Sequence, residues 1–198
     1  MFSVKGHRSV VNKSKLAEAG ESVDWFFGSG IMELGDKLGP ILWQLAPFKR
    51  FNADDIAAFF SVLPKKVGGR AIQHVIEPRH ESSQTESFVD LARSENIAIA
   101  KADSIKYRSI DDLTGSLVYA RLQNTAADQP AGYSETELDR WAWQAKEWAA
   151  GNSVQGTPLL VEKEQPQARP VSVYVINGAK ERSPAAAMSI IDRLNGGL

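Results

Sequence analysis

The sequence predicts an α/β fold built from parallel βαβ units. Three observations carry that prediction. Six short apolar runs, Phe2–Lys5, Ile41–Leu45, Ala71–Glu77, Ile97–Asp103, Leu117–Arg121 and Val171–Asn177, are spaced along the chain. Most end on a polar or charged side chain, and helix-like stretches separate them. Strand and helix patterns that alternate in this way give parallel sheets rather than sandwiches or bundles.

The elements follow in order. Phe2-Ser3-Val4-Lys5 opens the first strand one residue after Met1. Ser22 to Lys37 is expected to be a helix: Val23, Phe26, Phe27, Ile31 and Leu34 recur near helical spacing, and Ser22 is a capping residue. Lys37-Leu38-Gly39-Pro40 is then a stop signal before the second strand. Asn52 caps a helix through Leu63 with Ile56, Phe59 and Phe60 as its buried stripe, and Pro64 and Gly68-Gly69 end it. A further helix, Thr85 to Arg93, places Phe88, Leu91 and Ala92 on one face.

Ser134-Glu135-Thr136-Glu137 has the form of a capping box, with Ser at the cap and Glu three residues on. It opens a long helix carrying Leu138, Trp141, Ala142, Ala145 and Trp148. Residues 151–170 hold Gly151, Gly156, Pro158, Pro166 and Pro170 and read as a surface loop. Pro184 suits the first turn of the closing helix, with Met188, Ile191 and Leu194 expected to pack inward. A closed barrel takes about eight strands, so six runs mean either two missing strands or an open sheet.

Composition narrows the function classes. At 198 residues, with 43% hydrophobic and 24% charged residues, the chain suits one globular domain. A net charge of −1 gives no electrostatic case for a nucleic-acid or membrane-surface partner. The absence of cysteine excludes disulfides, thiolate metal sites and cysteine nucleophiles, and fits a reducing cytoplasm. No apolar run approaches the roughly 18 residues of a membrane span, and His7, Arg8, Lys13 and Lys15 interrupt the apolar stretch that a signal peptide would need in the opening residues. A soluble, cytoplasmic protein is expected. No cofactor is assigned, since neither a GxGxxG nor a Walker pattern occurs.

Candidate site residues come from the strand ends, because α/β barrels do their chemistry there. Strand parity collects Lys5, Gln44, Glu77, Arg79, Asp103, Tyr119, Arg121 and Asn177. If the sheet curls, they converge on one mouth whose three cations and two carboxylates sum to +1. Lys5, Arg79 and Arg121 would then hold an anion such as phosphate or carboxylate. The alternative is a structural ion network, Glu77 with Arg121 and Asp103 with Lys5 or Arg79. Glu77-Pro78-Arg79-His80 is the densest cluster. Glu77 is the candidate base, Asp103 and Tyr119 are further catalytic candidates, and Gln44, His80 and Asn177 are binding groups. Glu77, His80 and Asp103 also admit a divalent metal, but their spacing is not diagnostic and no metal site is assigned. His7 is expected on a surface loop, His74 and the tryptophans at positions 25, 141, 143 and 148 in packing roles.

Several segments together resemble the YecE-like family of unknown function. They are Phe2–Lys5, Lys37–Leu45 with Pro47, Ile76-Glu77-Pro78-Arg79-His80, Asp103, Val118–Leu122, Tyr133 with Trp141, and Val173–Ala179 followed by Pro184–Ala187. The resemblance spans nearly the whole chain. It implies a TIM-like (β/α) barrel, incomplete here, with about six βα units in one domain over residues 1–198. Members of that family carry a further N-terminal segment, and this chain is expected to begin where that segment ends. Asn12 and Gln123-Asn124 stand where the family has histidine, so chemistry resting on those histidines is expected to be absent. Two functions follow as expectations: an enzyme-type site for a small anionic or phosphorylated ligand, or a non-catalytic fragment or scaffold that pairs with another chain through an open strand edge.

Overall fold

In the computed structural model, which describes residues 1–154, 156–161 and 165–196, the long strands pair in parallel. The chain divides into two units, residues 1–99 and 100–198.

The first unit holds β1 (Phe2–Lys5), α1 (Arg8–Val11), α2 (Gly20–Gly28), β2 (Leu38–Gln44), α3 (Ala53–Val62), β3 (Lys66–Val67), β4 (Arg70–Ala71), β5 (His74–Glu77), α4 (Glu86–Ser94) and β6 (Ala98–Ile99). Its main sheet has the order β1-β2-β5-β6. All seven residues of β2 are buried, as expected for an inner strand of a parallel sheet. The strand starts three residues earlier than the apolar pattern suggests. Gly39 and Pro40 lie inside it, and the register with β1 slips between Phe2 and Val4. Proline lacks a ladder donor, which explains an irregularity at this place. Ser3 compensates by donating its hydroxyl to the Pro40 carbonyl at 2.9 Å.

One face of this sheet is an aromatic core. Trp43, fully buried, meets Phe26 and Phe59 edge-on at centroid distances of 5.3 and 5.8 Å. Its indole N–H donates to His74 Nδ1 at 3.0 Å, and His74 Nε2 bonds the Pro64 carbonyl at 3.0 Å. Burial lowers the His74 pKa, and both ring nitrogens are spoken for by a neutral imidazole protonated at Nε2. His74 is the packing histidine that its strand position predicts.

Two readings need correction here. The expected helix from Ser22 to Lys37 is instead α2, ending at Gly28, and a 3₁₀ turn over Ile31–Lys37. The break falls at Gly30, whose φ of 95° lies in the left-handed region that ends helices. The expected strand Ala71–Glu77 is likewise divided: β3 and β4 form an antiparallel hairpin around Gly68-Gly69, and β5 starts at His74.

The second unit holds β7 (Lys101–Asp103), β8 (Val118–Leu122), α5 (Glu135–Ala149), β9 (Val171–Val175) and α6 (Ser183–Gly196). Its parallel sheet has the order β7-β8-β9. The expected single strand from Ile97 to Asp103 is thus two, β6 and β7, with Ala100 between them and one in each unit. The capping box at Ser134 is formed with both of its hydrogen bonds, and Leu138, Trp141, Ala142, Ala145 and Trp148 are all buried. In α6 the buried stripe is Ala186 and Ile190; Met188, Ile191 and Leu194 are 59%, 47% and 37% exposed, against expectation. Trp25 (57% exposed) and Trp143 (39%) are not core residues either. In the expected 151–170 loop, residues 155 and 162–164 lie outside the described residues.

The α/β class with parallel strands is therefore present. Among the described residues the main sheet of each unit is open, with four strands in the first and three in the second; an open sheet is one of the two alternatives that the six runs leave, and neither sheet closes into the barrel that the family resemblance implies. Among the described residues no helix is long and apolar enough to cross a membrane.

Candidate functional site

In the first unit the parallel register sets the site. Lys5 aligns with Leu42, and Gln44 aligns with Glu77, so Lys5, Gln44 and Glu77 share the face opposite Trp43 and Ile76. Their side chains form a continuous chain of contacts. Lys5 Nζ donates to Gln44 Oε1 at 2.7 Å, and Gln44 Nε2 donates to Glu77 Oε1 at 3.0 Å. Arg79 Nε donates to the same Glu77 oxygen at 2.9 Å. Glu77 is only 1% exposed. A buried carboxylate is costly unless paired and hydrogen-bonded, and Gln44 and Arg79 meet that requirement. Two cations against one carboxylate leave this cluster with a formal charge of +1.

His80 is adjacent but differently employed. Its Nδ1 accepts from the Ser82 backbone N–H at 3.1 Å and contacts Ser82 Oγ at 2.9 Å, capping the 3₁₀ turn Glu81–Ser83. His7 does the same for α1 through the Ser9 N–H, and Asn12 is the C-cap of that helix.

The second unit separates residues that strand parity places together. Lys101 aligns with Ala120, Ala102 with Arg121, and Asp103 with Leu122. Asp103 therefore lies on the face of Ala120 and Leu122, which pack in the core with Tyr133 and Trp141. Tyr119 and Arg121 lie on the opposite face, with Ser172 and Tyr174 of β9. Tyr119 and Tyr174 stack there at 4.6 Å. The expectation of one shared face for Asp103, Tyr119 and Arg121 is corrected by this register.

Asp103 has two strong donors. Asn124 Nδ2 donates to Oδ1 at 2.9 Å, and the Tyr133 hydroxyl donates to Oδ2 at 3.0 Å. The Asn124 backbone N–H closes the cluster by donating to the Tyr133 oxygen at 3.1 Å. Burial, reinforced by the Asp103 charge, pushes the Tyr133 phenol well above its usual range, so Tyr133 remains a donor. Strand parity alone misses Asn124 and Tyr133 as members of this cluster. The signals in the sequence are positional: Asn124 lies two residues past a strand end, and Tyr133 immediately precedes the capping box.

Asn177 lies beyond the end of β9 with a left-handed φ of 62°, and its Nδ2 donates to Gln123 Oε1 at 3.2 Å. The next residue, Gly178, also has positive φ, and a Cβ there would come within 2.3 Å of the Thr125 carbonyl oxygen. Thr125 Oγ1 in turn donates to the Asn177 and Ala179 carbonyls. The loops after β8 and β9 are thereby pinned together. Among the described residues no group of three His, Asp or Glu side chains is placed to hold a metal ion.

Known proteins fit this architecture. No curated protein matches the chain. A crystal structure of a DUF72 family protein from Thermotoga maritima superimposes with a TM-score of 0.65 at 16% identity, covering 98% of this chain and 72% of that one. A DUF72 family protein from Enterococcus faecalis gives 0.68 at 14% identity, covering 98% of this chain and 78% of its own. At such identities the likeness shows the fold. The model of the family described as "Protein of unknown function DUF72" matches residues 1–197. The chain therefore belongs to the DUF72 family, in agreement with the YecE-like resemblance of its sequence.

Proposed function

We propose that the protein binds a small anion, a carboxylate or a phosphorylated group, at the carboxyl ends of β1, β2 and β5. The observation that carries this reading is the chain Lys5–Gln44–Glu77–Arg79. Glu77 and Gln44 hold two cationic side chains in a fixed order, and pre-ordered donors bind an anion with less entropic cost than mobile ones. Arg79, with 19% of its side chain exposed, keeps access to solvent while its Nε is held. With Glu77 Oε1 accepting from both Gln44 and Arg79, its role in this reading is to position the cations rather than to take a proton.

Within the second unit, Tyr119 and Arg121 are candidates for a binding role of their own on one face of its sheet, with Asp103 on the opposite face. The test is thermal unfolding of the full chain against inorganic phosphate at constant ionic strength. Phosphate is expected to raise Tm through preferential binding to the folded state. Lys5→Ala and Arg79→Ala are expected to abolish that rise. An unchanged phosphate response in both variants would overturn the proposal.

A second reading, a scaffold that pairs with another chain, is favoured by β9. Among the described residues β9 pairs with β8 alone, and Val171, Val173 and Val175 line a groove of about 450 Å³ with Ile190, Ile191 and Leu194. An open edge beside apolar side chains is a template for strand addition. Sedimentation tests it: association is expected at micromolar protein, and a monomer throughout a wide concentration series removes the reading.

A further inference from the structure

A cleft of about 680 Å³ lies in the first unit between two loops, the one after α1 and the one from β2 to α3. Its lining shares no residue with the Lys5–Gln44–Glu77–Arg79 chain. Five charged side chains line it: Lys15, Lys49, Arg50, Asp54 and Asp55, with a formal sum of +1. Pairing within the lining decides which of them a ligand meets. Lys49 Nζ lies 3.1 Å from Asp55 Oδ2 and donates to the carbonyls of Ser14 at 2.6 Å and Lys13 at 3.3 Å. Asp55 Oδ1 accepts from the Ala17 N–H at 2.9 Å. This pair is spent on tying the two loops together. Among the described residues, no hydrogen bond or ion pair engages the side chains of Lys15, Arg50 or Asp54, and all three are exposed. Two open cations against one open carboxylate favour an anion.

The same loop supplies an apolar face. The Lys49 N–H donates to the Ala46 carbonyl at 2.9 Å, closing a turn with Pro47 in its second position, where the fixed φ of proline suits it. Phe48 follows in that turn, 76% exposed and on the wall of the cleft. One residue past Arg50, the Phe51 N–H donates to Ser82 Oγ at 2.8 Å, so the loop is fixed on both sides of Phe48 and Arg50. A lone exposed apolar side chain needs no explanation. A phenylalanine held out by a closed turn, beside two uncommitted cations, is a stacking surface next to positive charge. Groups ordered in advance bind at less entropic cost. The volume lies within the range of about 300–1,000 Å³ typical of small-molecule sites.

We infer that this cleft binds an aromatic organic anion of the size of a nucleoside monophosphate, its ring on Phe48 and its anionic group on Lys15 and Arg50. The site is distinct from the anion cluster at the strand ends and stands or falls without it.

Calorimetric titration of adenosine monophosphate into the full chain tests the inference, with adenosine and inorganic phosphate as the two halves of the probe. Saturable binding of the nucleotide is expected, tighter than that of either half. Phe48→Ala is expected to weaken it about tenfold, the effect of one base stacked on an aromatic side chain. Lys15→Ala and Arg50→Ala each weaken it about fivefold, as for an exposed ion pair, and Asp54→Asn, which removes the one open carboxylate, tightens it. The inference is overturned by no saturable heat up to about 10 mM nucleotide, by either half binding as tightly as the whole, or by unchanged affinity in Phe48→Ala or in both cation variants. Binding lost in Arg79→Ala but kept in the cleft variants places the nucleotide on the strand-end cluster and overturns it too. If a variant fails to fold, nuclear Overhauser contacts in the unaltered protein decide. Contacts from the adenine protons to the Phe48 ring support the site, and contacts only elsewhere, or none, overturn it.

Discussion

The two units solve one problem in different ways. β1, β2 and β5 of the first end on Lys5, Gln44 and Glu77, β7 of the second ends on Asp103, and each unit holds the carboxylate at a strand end with two side-chain donors. In the first unit the carboxylate is Glu77, on the face opposite the aromatic core, and its donors come from a neighbouring strand and from its own loop. In the second it is Asp103, on the face of the core itself, and its donors are a phenol and an amide from beyond β8. The first arrangement gathers cations and is suited to an anion. The second holds its carboxylate with neutral donors, the Tyr133 hydroxyl and the Asn124 amide. A polar strand end is thus a statement about position along a strand, while register decides which environment it enters.

The largest effect expected in either unit is on packing. Trp43→Ala removes the ring that Phe26 and Phe59 surround and orphans His74 Nδ1. It is expected to cost about 3–5 kcal/mol in urea unfolding. A cost below about 1 kcal/mol would mean that the aromatic face is not the core of the first unit.

The comparison itself is sharpened by two substitutions. Glu77→Gln removes the charge that pairs with Arg79 Nε, with an expected loss of about 2–3 kcal/mol. Tyr133→Phe takes one donor from Asp103 and the acceptor from Asn124 N–H, with an expected loss of about 1.5–3 kcal/mol. The qualitative difference matters more than the sizes: Glu77→Gln is expected to remove the phosphate response, and Tyr133→Phe to leave it intact. Chemical denaturation with and without phosphate checks both, and equal effects of the two substitutions on that response would break the comparison.

His74 gives a pH dependence confined to the first unit. Its folded pKa lies below the unfolded value, so the unfolded chain takes up a proton first as pH falls. The stability contributed by neutral His74 is complete above the unfolded pKa of about 6.5 and is lost as pH falls from there toward the folded pKa. The slope between the two is at most about 1.4 kcal/mol per pH unit. Denaturant melts from pH 7.5 to 5 on the native chain and on His74→Gln are expected to differ by that slope; parallel profiles would remove the assignment.

The smallest effect is local. Ser134→Ala deletes the cap of α5 and the hydroxyl whose hydrogen bond lowers the Glu137 pKa. It is expected to cost about 1 kcal/mol, read from the midpoint of thermal or urea unfolding.

Much of this is legible in the amino-acid sequence. Asn52, Thr85 and Ser134 mark helix starts because a cap is a local chemical need, met within three residues. The row Lys5, Gln44, Glu77 is legible because those three strands keep their alternation up to their ends. Asp103 is misplaced by counting alternation through one strand, whereas the register with β8 is what fixes its face. Glu77 is legible as the polar end of a strand, but not its link to Gln44, since pairing across strands depends on which strands are neighbours. The α6 stripe fails for a simpler reason: Ala186 and Ile190 are four apart and less apolar in sum than Met188, Ile191 and Leu194, yet the small Ala186 side is the one that packs.

The most direct test of the central claim is a phosphate titration followed by NMR of the side-chain N–H groups of Arg79 and Gln44. Saturable shifts of Arg79 Nε–H and the Gln44 amide, lost together in Glu77→Gln, are predicted if the Lys5–Gln44–Glu77–Arg79 chain is a built anion site. Absent shifts, or shifts that persist when Glu77 is replaced, would contradict it.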